Sequence, residues 1–188
     1  MGTQFTNESI STLSADWLVI GLAESAPLST TVAQLDETLN GLISRLIESE
    51  DFTGKLATTS SLLGLTEIKV PRILLVGLGP AAEVSLASLE KAMMTAARSI
   101  SAKQNTAAAV LLPELEHKTL STDQLACQIT SAMIVGSVGQ DLYRQEAARF
   151  PFQELLIVGT AAADQSACQQ AVEHGTILGD AINLAREL

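Results

Sequence analysis

Aromatic residues make up only 3% of the 188-residue chain, and it holds just 2 cysteines, 5 prolines and 11 basic side chains. Each scarcity excludes something. With so few aromatics, a core must be built from Leu, Ile, Val and Ala, side chains that suit close packing of helices on a sheet. Eleven Lys and Arg against 21 Asp and Glu leave a formal charge of −10. That balance repels phosphate backbones and anionic lipid, so neither nucleic acid nor a membrane surface is expected as a partner. Cys127 and Cys168 lie far apart in helical patterns and do not make a disulfide scaffold; buried free thiols in a reducing compartment are the expectation. No apolar run approaches the roughly 20 residues needed to span a bilayer. Residues 1–16 are polar and lack both the basic and the apolar region of a signal peptide. The expected location is the cytoplasm.

What remains is a globular composition, 47% hydrophobic and 17% charged, enough for one sizeable core. Apolar runs at 17–22, 73–78, 107–112 and 155–158 lack strict alternation, as strands covered on both faces do. Residues 55–63 alternate weakly and predict an edge or antiparallel strand. Between these runs lie helical stripes. Leu35, Leu39, Leu42, Ile43, Leu46 and Ile47 form one continuous stripe, with Asp36, Glu37, Asn40, Ser44, Arg45 and Glu48 on the other side. Leu86, Leu89, Met93, Ala97 and Ile100 make a second stripe. Leu125, Ile129, Ala132 and Met133 make a third, opened by Ser121 and Gln124 at capping-box spacing. Ala167, Ala171, Leu178, Ala181, Ile182 and Ala185 make the fourth. The resulting order, β–α–β–β–α–β–α–β–α, predicts a three-layer α/β/α sandwich on a mixed, mostly parallel sheet. The expected division is a polar N-terminal segment at 1–15, an α/β domain at 16–160 and a last helix at 161–188.

Candidate chemistry is thin. Gly77-Leu78-Gly79-Pro80-Ala81-Ala82 fits the G-x-G-x-x-A spacing of a dinucleotide turn, with Glu114 after the next strand as a possible ribose-binding acid. The helical stripe begins only near Leu86, however, and Pro80 sits within the turn, so a tight strand-to-helix connection is the preferred reading. Gly54-Lys55 lacks the second glycine and the hydroxyl of a phosphate-binding loop, since Ser49 and Leu56 occupy those places. His117 reads as a solvated loop residue. His174 borders an apolar face, and its i±4 neighbours Gln170 and Leu178 form no metal-ligand pair with it. Neither cysteine nor any serine sits in a nucleophile elbow. Asp36, Glu37, Glu48, Glu50 and Asp51 read as a solvated acidic face. The residues thus predict no catalytic, cofactor-binding or metal site.

Three ordered segments carry a resemblance. Glu50-Asp51-Phe52-Thr53-Gly54-Lys55, Arg72-Ile73-Leu74-Leu75-Val76-Gly77-Leu78-Gly79 and Asn183-Leu184-Ala185-Arg186-Glu187-Leu188 are similar to the D-F-x-G-K segment, the central strand with its turn, and the end of the interdomain helix of the leucyl aminopeptidase (cytosol aminopeptidase) family. The resemblance covers nearly the whole chain and implies a macro-domain-like N-terminal domain without catalytic residues. It implies that residues 161–188 begin the connection to a C-terminal catalytic domain, which would hold two divalent metals, manganese or zinc. A homo-hexamer acting on peptides would be the parent enzyme, with this domain serving assembly and access to the catalytic chamber. Gly136-Ser137-Val138-Gly139-Gln140-Asp141-Leu142-Tyr143 departs from the family's aromatic-rich G-x-Y-x-F segment and keeps only Tyr143 as an aromatic. A macro-like fold also admits another reading, a module binding ADP-ribose or a related nucleotide at the strand ends near Gly77-Leu78-Gly79.

Overall fold

The computed structural model describes residues 1–115, 120–139, 149–160 and 163–187. His117 and Tyr143, both singled out above, lie outside the described residues.

Strands β1 (Gly2–Thr6), β2 (Trp17–Glu24), β3 (Thr59–Leu63), β4 (Arg72–Pro80), β5 (Ala107–Leu111) and β6 (Glu154–Val158) form one sheet in the order β1-β6-β5-β2-β4-β3. Every pairing is parallel except β3 with β4. Helices α1 (Thr30–Thr38) and α2 (Leu42–Glu48) cover one face; α3 (Leu86–Ile100), α4 (Thr122–Ser137) and α5 (Gln165–Glu187) cover the other. The predicted three-layer sandwich with a mixed, mostly parallel sheet is present. Alternate residues of the central strands feed the two cores. Leu18, Ile20, Ile73 and Leu75 face α1 and α2, whereas Val19, Leu74, Val76 and Leu78 face α3 to α5. Burial on both faces explains why these runs lack alternation in hydropathy.

The segment at 55–63 is an edge strand, antiparallel to β4, as its pattern predicts. The polar N-terminal segment requires correction. Residues 2–6 form β1, the opposite edge, paired in parallel with β6 in register Gly2 to Glu154 through Thr6 to Val158. An edge strand needs only one apolar anchor, and Phe5 supplies it from full burial.

The first helical stripe also requires correction, because it is two helices. Asn40 (φ 56°) and Gly41 (φ 73°) adopt left-handed backbone and end α1. The break leaves Leu35, Leu39 and Ile43 on the same buried face, so the stripe stays in phase across it. Gly41 offers α2 no capping side chain. Asp36, expected on the solvated side, is buried instead and supplies the cap. Its carboxylate accepts from the Ile43 amide at 2.7 Å and from the Ser44 amide and hydroxyl. Two of the orphan donors of α2 are satisfied in this way by a side chain from the preceding helix.

Small residues set the spacing of the other helical layer. A Cβ on Gly136 would lie 2.7 Å from the Met94 carbonyl oxygen, so α4 meets α3 backbone to backbone. The same holds for α5 on α4, where a Cβ on Gly175 would lie 2.4 Å from the Cys127 carbonyl oxygen and one on Gly179 would lie 2.9 Å from Ile134 Cβ. The face α5 turns to the core therefore comprises Cys168, Val172, Gly175, Gly179 and Asn183. Of the stripe predicted for this helix only Ala171 is buried; Ala167, Leu178, Ala181, Ile182 and Ala185 are exposed. Close approach of the backbones, not side-chain size, selected the buried face.

Candidate functional site

In an open α/β sheet the physically favoured ligand position is beyond the C-terminal strand ends, where successive connections leave for opposite faces. Here that point lies between β2, followed by α1, and β5, followed by α4. The crevice is nearly filled. Its cavity measures about 50 Å³ and is bounded by Leu22, Leu78, Leu111, Leu112 and Leu115. A ligand of nucleotide size needs several times that space, on the order of 300 Å³ or more. The shallower hollow beside it, over residues 26–30, Ala81 and Glu114, has about 320 Å³. At its rim Glu114 accepts a hydrogen bond from the Thr31 hydroxyl at 2.6 Å. A carboxylate thus stands at the first turn of α1, the place a bound phosphate would need.

Gly77-Leu78-Gly79, expected above as a strand-to-helix turn, is instead the last part of β4, and its two glycine amides are engaged within the protein. Gly77 N–H donates to the Thr58 carbonyl at 2.9 Å, Gly79 N–H donates to the Gly54 carbonyl at 3.0 Å, and Ala57 N–H donates to the Gly77 carbonyl at 2.9 Å. A Cβ on Gly77 would lie 1.9 Å from the Lys55 carbonyl oxygen, and one on Gly54 would lie 2.9 Å from the backbone of Ala23. The Gly54-Lys55 segment therefore runs across the ends of β2 and β4 and occupies the ground a pyrophosphate would take. Phe52, buried beside it, anchors the segment in the core below. Two motifs that read separately in the sequence are the halves of one joint. The third is a joint as well: Asn183 Nδ2 and Arg186 Nη1 donate to the carbonyls of Ile134 and Val135, where α4 ends.

Larger cavities are present among the described residues. One of about 520 Å³ lies over the ends of β5 and β6, between the starts of α4 and α5. Its polar groups are mostly committed to the helix starts. Asp164 Oδ1 accepts from the amides of Ser166 and Ala167 at 2.9 and 3.2 Å. Gln124 Oε1 accepts from the Ser121 amide at 3.0 Å, the back-bond of the predicted capping box. The Ser121 hydroxyl, bonding to Asp123, holds that carboxyl below its ordinary range. Another, of about 440 Å³, lies between residues 7–11 and α1 and carries Glu8 as its acid.

The remaining sequence candidates do not converge. Among the described residues no three His, Cys, Asp or Glu side chains are placed to hold a metal ion. His174 is exposed on the outer face of α5. Glu37, Glu48, Glu50 and Asp51 are exposed, the last accepting from the Ser49 hydroxyl at 2.7 Å. Cys168 is buried and Cys127 half-buried. Burial pushes both thiols above their ordinary range, and the Asp123 charge adds to this at each. A raised pKa means less thiolate at neutral pH, opposite to the need of a nucleophile. Iodoacetamide at pH 7.5 should therefore modify Cys168 at least 100-fold more slowly in the folded chain than in urea, read site by site by mass spectrometry. Rapid modification without denaturant would restore it as a reactive residue.

Residues 19–147 match the sequence model described as the cytosol aminopeptidase family, N-terminal domain. A protein of Nitrosococcus oceani named "Probable cytosol aminopeptidase" is 29% identical over 178 residues, covering 91% of this chain and 34% of its own length. One of Ralstonia pickettii with the same name is 28% identical over 181 residues, covering 93% and 36%. The chain thus spans about a third of the length of these relatives. Among solved structures, a tomato leucine aminopeptidase mutant aligns with a TM-score of 0.79 over 100% of this chain and 37% of its own, at 24% identity. The bottromycin maturation enzyme BotP aligns at 0.65 over 93% and 32%, at 18% identity. Another structure of BotP contains Mn. At these identities the two structural likenesses speak to the fold alone.

Proposed function

Because the chain belongs to the cytosol aminopeptidase family, to which it contributes an N-terminal domain, we propose that it is the non-catalytic N-terminal domain of a dinuclear-metal leucyl aminopeptidase. In this reading it serves hexamer assembly and access to a catalytic chamber in the cytoplasm. The parent enzyme releases N-terminal amino acids from peptides, using two divalent metals, manganese or zinc. The division at the start of α5, with residues 161–188 leading to a C-terminal catalytic domain, belongs to the same proposal. The family match over residues 19–147 carries it.

The described residues do not fit a dinuclear metal centre, since no donor set converges among them. No step of peptide hydrolysis is assigned to this chain. Its contribution is architectural, and the three joined motifs support that role: each holds one element against another. No helix among the described residues is long and apolar enough to cross a membrane.

The nucleotide-binding alternative has less support. Its expected site is a cavity of about 50 Å³ and, beside it, an open hollow of about 320 Å³ with the Glu114 carboxylate at its rim, and the Gly77 and Gly79 amides it would use are already engaged.

Two preparations test the proposal. The purified 188-residue chain with added manganese or zinc should release no chromophore from a leucyl anilide. Joined at Leu188 to the downstream two thirds of the Nitrosococcus relative, it should give an active protein whose mass by light scattering is that of a hexamer. Turnover by the purified chain alone, or an active fusion that stays monomeric, contradicts the proposal.

A further inference from the structure

The outer face of α5 is apolar where nothing covers it. Ile177 is 66% exposed, Leu178 52%, Ile182 42% and Leu184 61%, and Ala181 and Ala185 are exposed between them. At 100° per residue these six positions fall on one arc of about 160°, without a charged residue inside it. The helix is thus apolar on two sides. Its inner side meets α4 through glycines, and its outer side holds four of the exposed large hydrophobics among the described residues. The large apolar side chains that are exposed on this helix all lie in its second half. Earlier on the same helix the exposed residues are Gln165, Ser166, Ala167, Gln170, Glu173 and His174, of which only the small Ala167 is apolar. A contiguous apolar patch of this kind marks a contact surface.

We infer that this stripe is the seat of the C-terminal domain that follows in the relatives, packed within the same polypeptide. The inference rests on the N-terminal-domain reading above and adds the surface. The matched region is about a third of each relative, and it is their N-terminal domain, so the relatives continue beyond the equivalent of α5. The stripe lies at that end of the helix: Ile177, its far limit, is ten residues from Glu187, the end of α5, about 15 Å along the axis. A domain tethered there meets the stripe at an effective concentration on the order of millimolar. A second copy of the chain, free in solution at micromolar concentration, competes poorly with it.

Cysteines placed at Leu178→Cys and Leu184→Cys report the contact, with Ser61→Cys on the exposed edge strand β3 as the reference. Maleimide labelling is read at each site by mass spectrometry, in the chain alone and in its fusion to the downstream part of the Nitrosococcus relative. Labelling at 178 and 184 should fall at least tenfold in the fusion, while labelling at 61 changes less than twofold. Undiminished labelling at 178 and 184 in a fusion that hydrolyses a leucyl substrate overturns the docking surface and leaves the functional reading intact. Protection in an inactive fusion supports the surface and counts against the function. Protection in the chain alone, with a dimeric mass, overturns the inference in favour of a second copy. A test independent of the fusion is Ile177→Glu with Leu178→Glu in the chain alone. Its urea midpoint should be unchanged or higher; a lower midpoint would show the stripe to be part of this domain's own core and overturn the proposal.

Discussion

Replacing Gly77 with Ala should cost about 4 kcal/mol or more and leave little folded chain at 37 °C. The added Cβ would stand 1.9 Å from the Lys55 carbonyl oxygen and 2.6 Å from the Gly54 carbonyl group. These are backbone atoms, and no rotamer change can move them aside. Overpacking of an ordinary core costs about 1–3 kcal/mol. Relief here also means lifting the Gly54-Lys55 segment, which sacrifices hydrogen bonds between the Gly54–Thr58 stretch and the glycines at the end of β4 at about 1 kcal/mol each. Against a total stability of roughly 5–15 kcal/mol, that loss is decisive. Gly64→Ala is the matched control. Gly64 has φ 73° but nothing within 4 Å of its Cβ position, so it carries backbone strain alone, about 1 kcal/mol. Urea denaturation of the two variants checks the contrast. If Gly77→Ala loses no more than Gly64→Ala, the joint between the two motifs is not as tight as described.

Asp36→Ala should cost about 3 kcal/mol. The carboxylate is buried and accepts from the Ile43 and Ser44 amides and the Ser44 hydroxyl. Removing it strands the Ile43 N–H away from water, and hydrogen bonds to charged groups contribute about 1.5–3 kcal/mol. Asp36→Asn keeps an acceptor for Ile43 and loses the charge at the start of α2, so about half the effect should return. Urea midpoints give the ranking Asp, then Asn, then Ala. Alanine and asparagine behaving alike would mean that the charge, not the acceptor geometry, holds α2 in place.

The sequence was legible where the physics is one of composition and period. Strands β2, β4, β5 and β6 announce themselves as unalternated apolar runs because both their faces are buried. Strand β1 does not, since Gly2, Thr3, Gln4 and Thr6 surround a lone anchor at Phe5. The α1–α2 break left the stripe in phase, and its visible mark was only the Asn40-Gly41 pair, a left-handed turn. Asp36 looked solvated because a helical wheel places residues relative to their own helix, while its partner lies on the next one. The error in α5 has a different cause. Hydropathy weighs side-chain bulk, so it chose Leu178 and Ile182, but close helix packing favours having no side chain at all, as at Gly175 and Gly179. At the glycine stretch the sequence offered only Pro80 and the late helical stripe as signals; that Gly77 and Gly79 donate to the Thr58 and Gly54 carbonyls could not be read there, because those partners lie about twenty residues away in the chain.

Pairing β1 with β6 has a consequence for how the chain is made. Gly2 cannot meet its partner until Glu154 has left the ribosome. At about 5–20 residues per second that wait lasts roughly 8–30 s. Through that interval β1 has no partner, and β6, once synthesised, needs it to cover the rim of the sheet. A bulky group attached next to Gly2 would have to be carried into place with the strand, which makes this edge of the sheet a poor position for a purification handle.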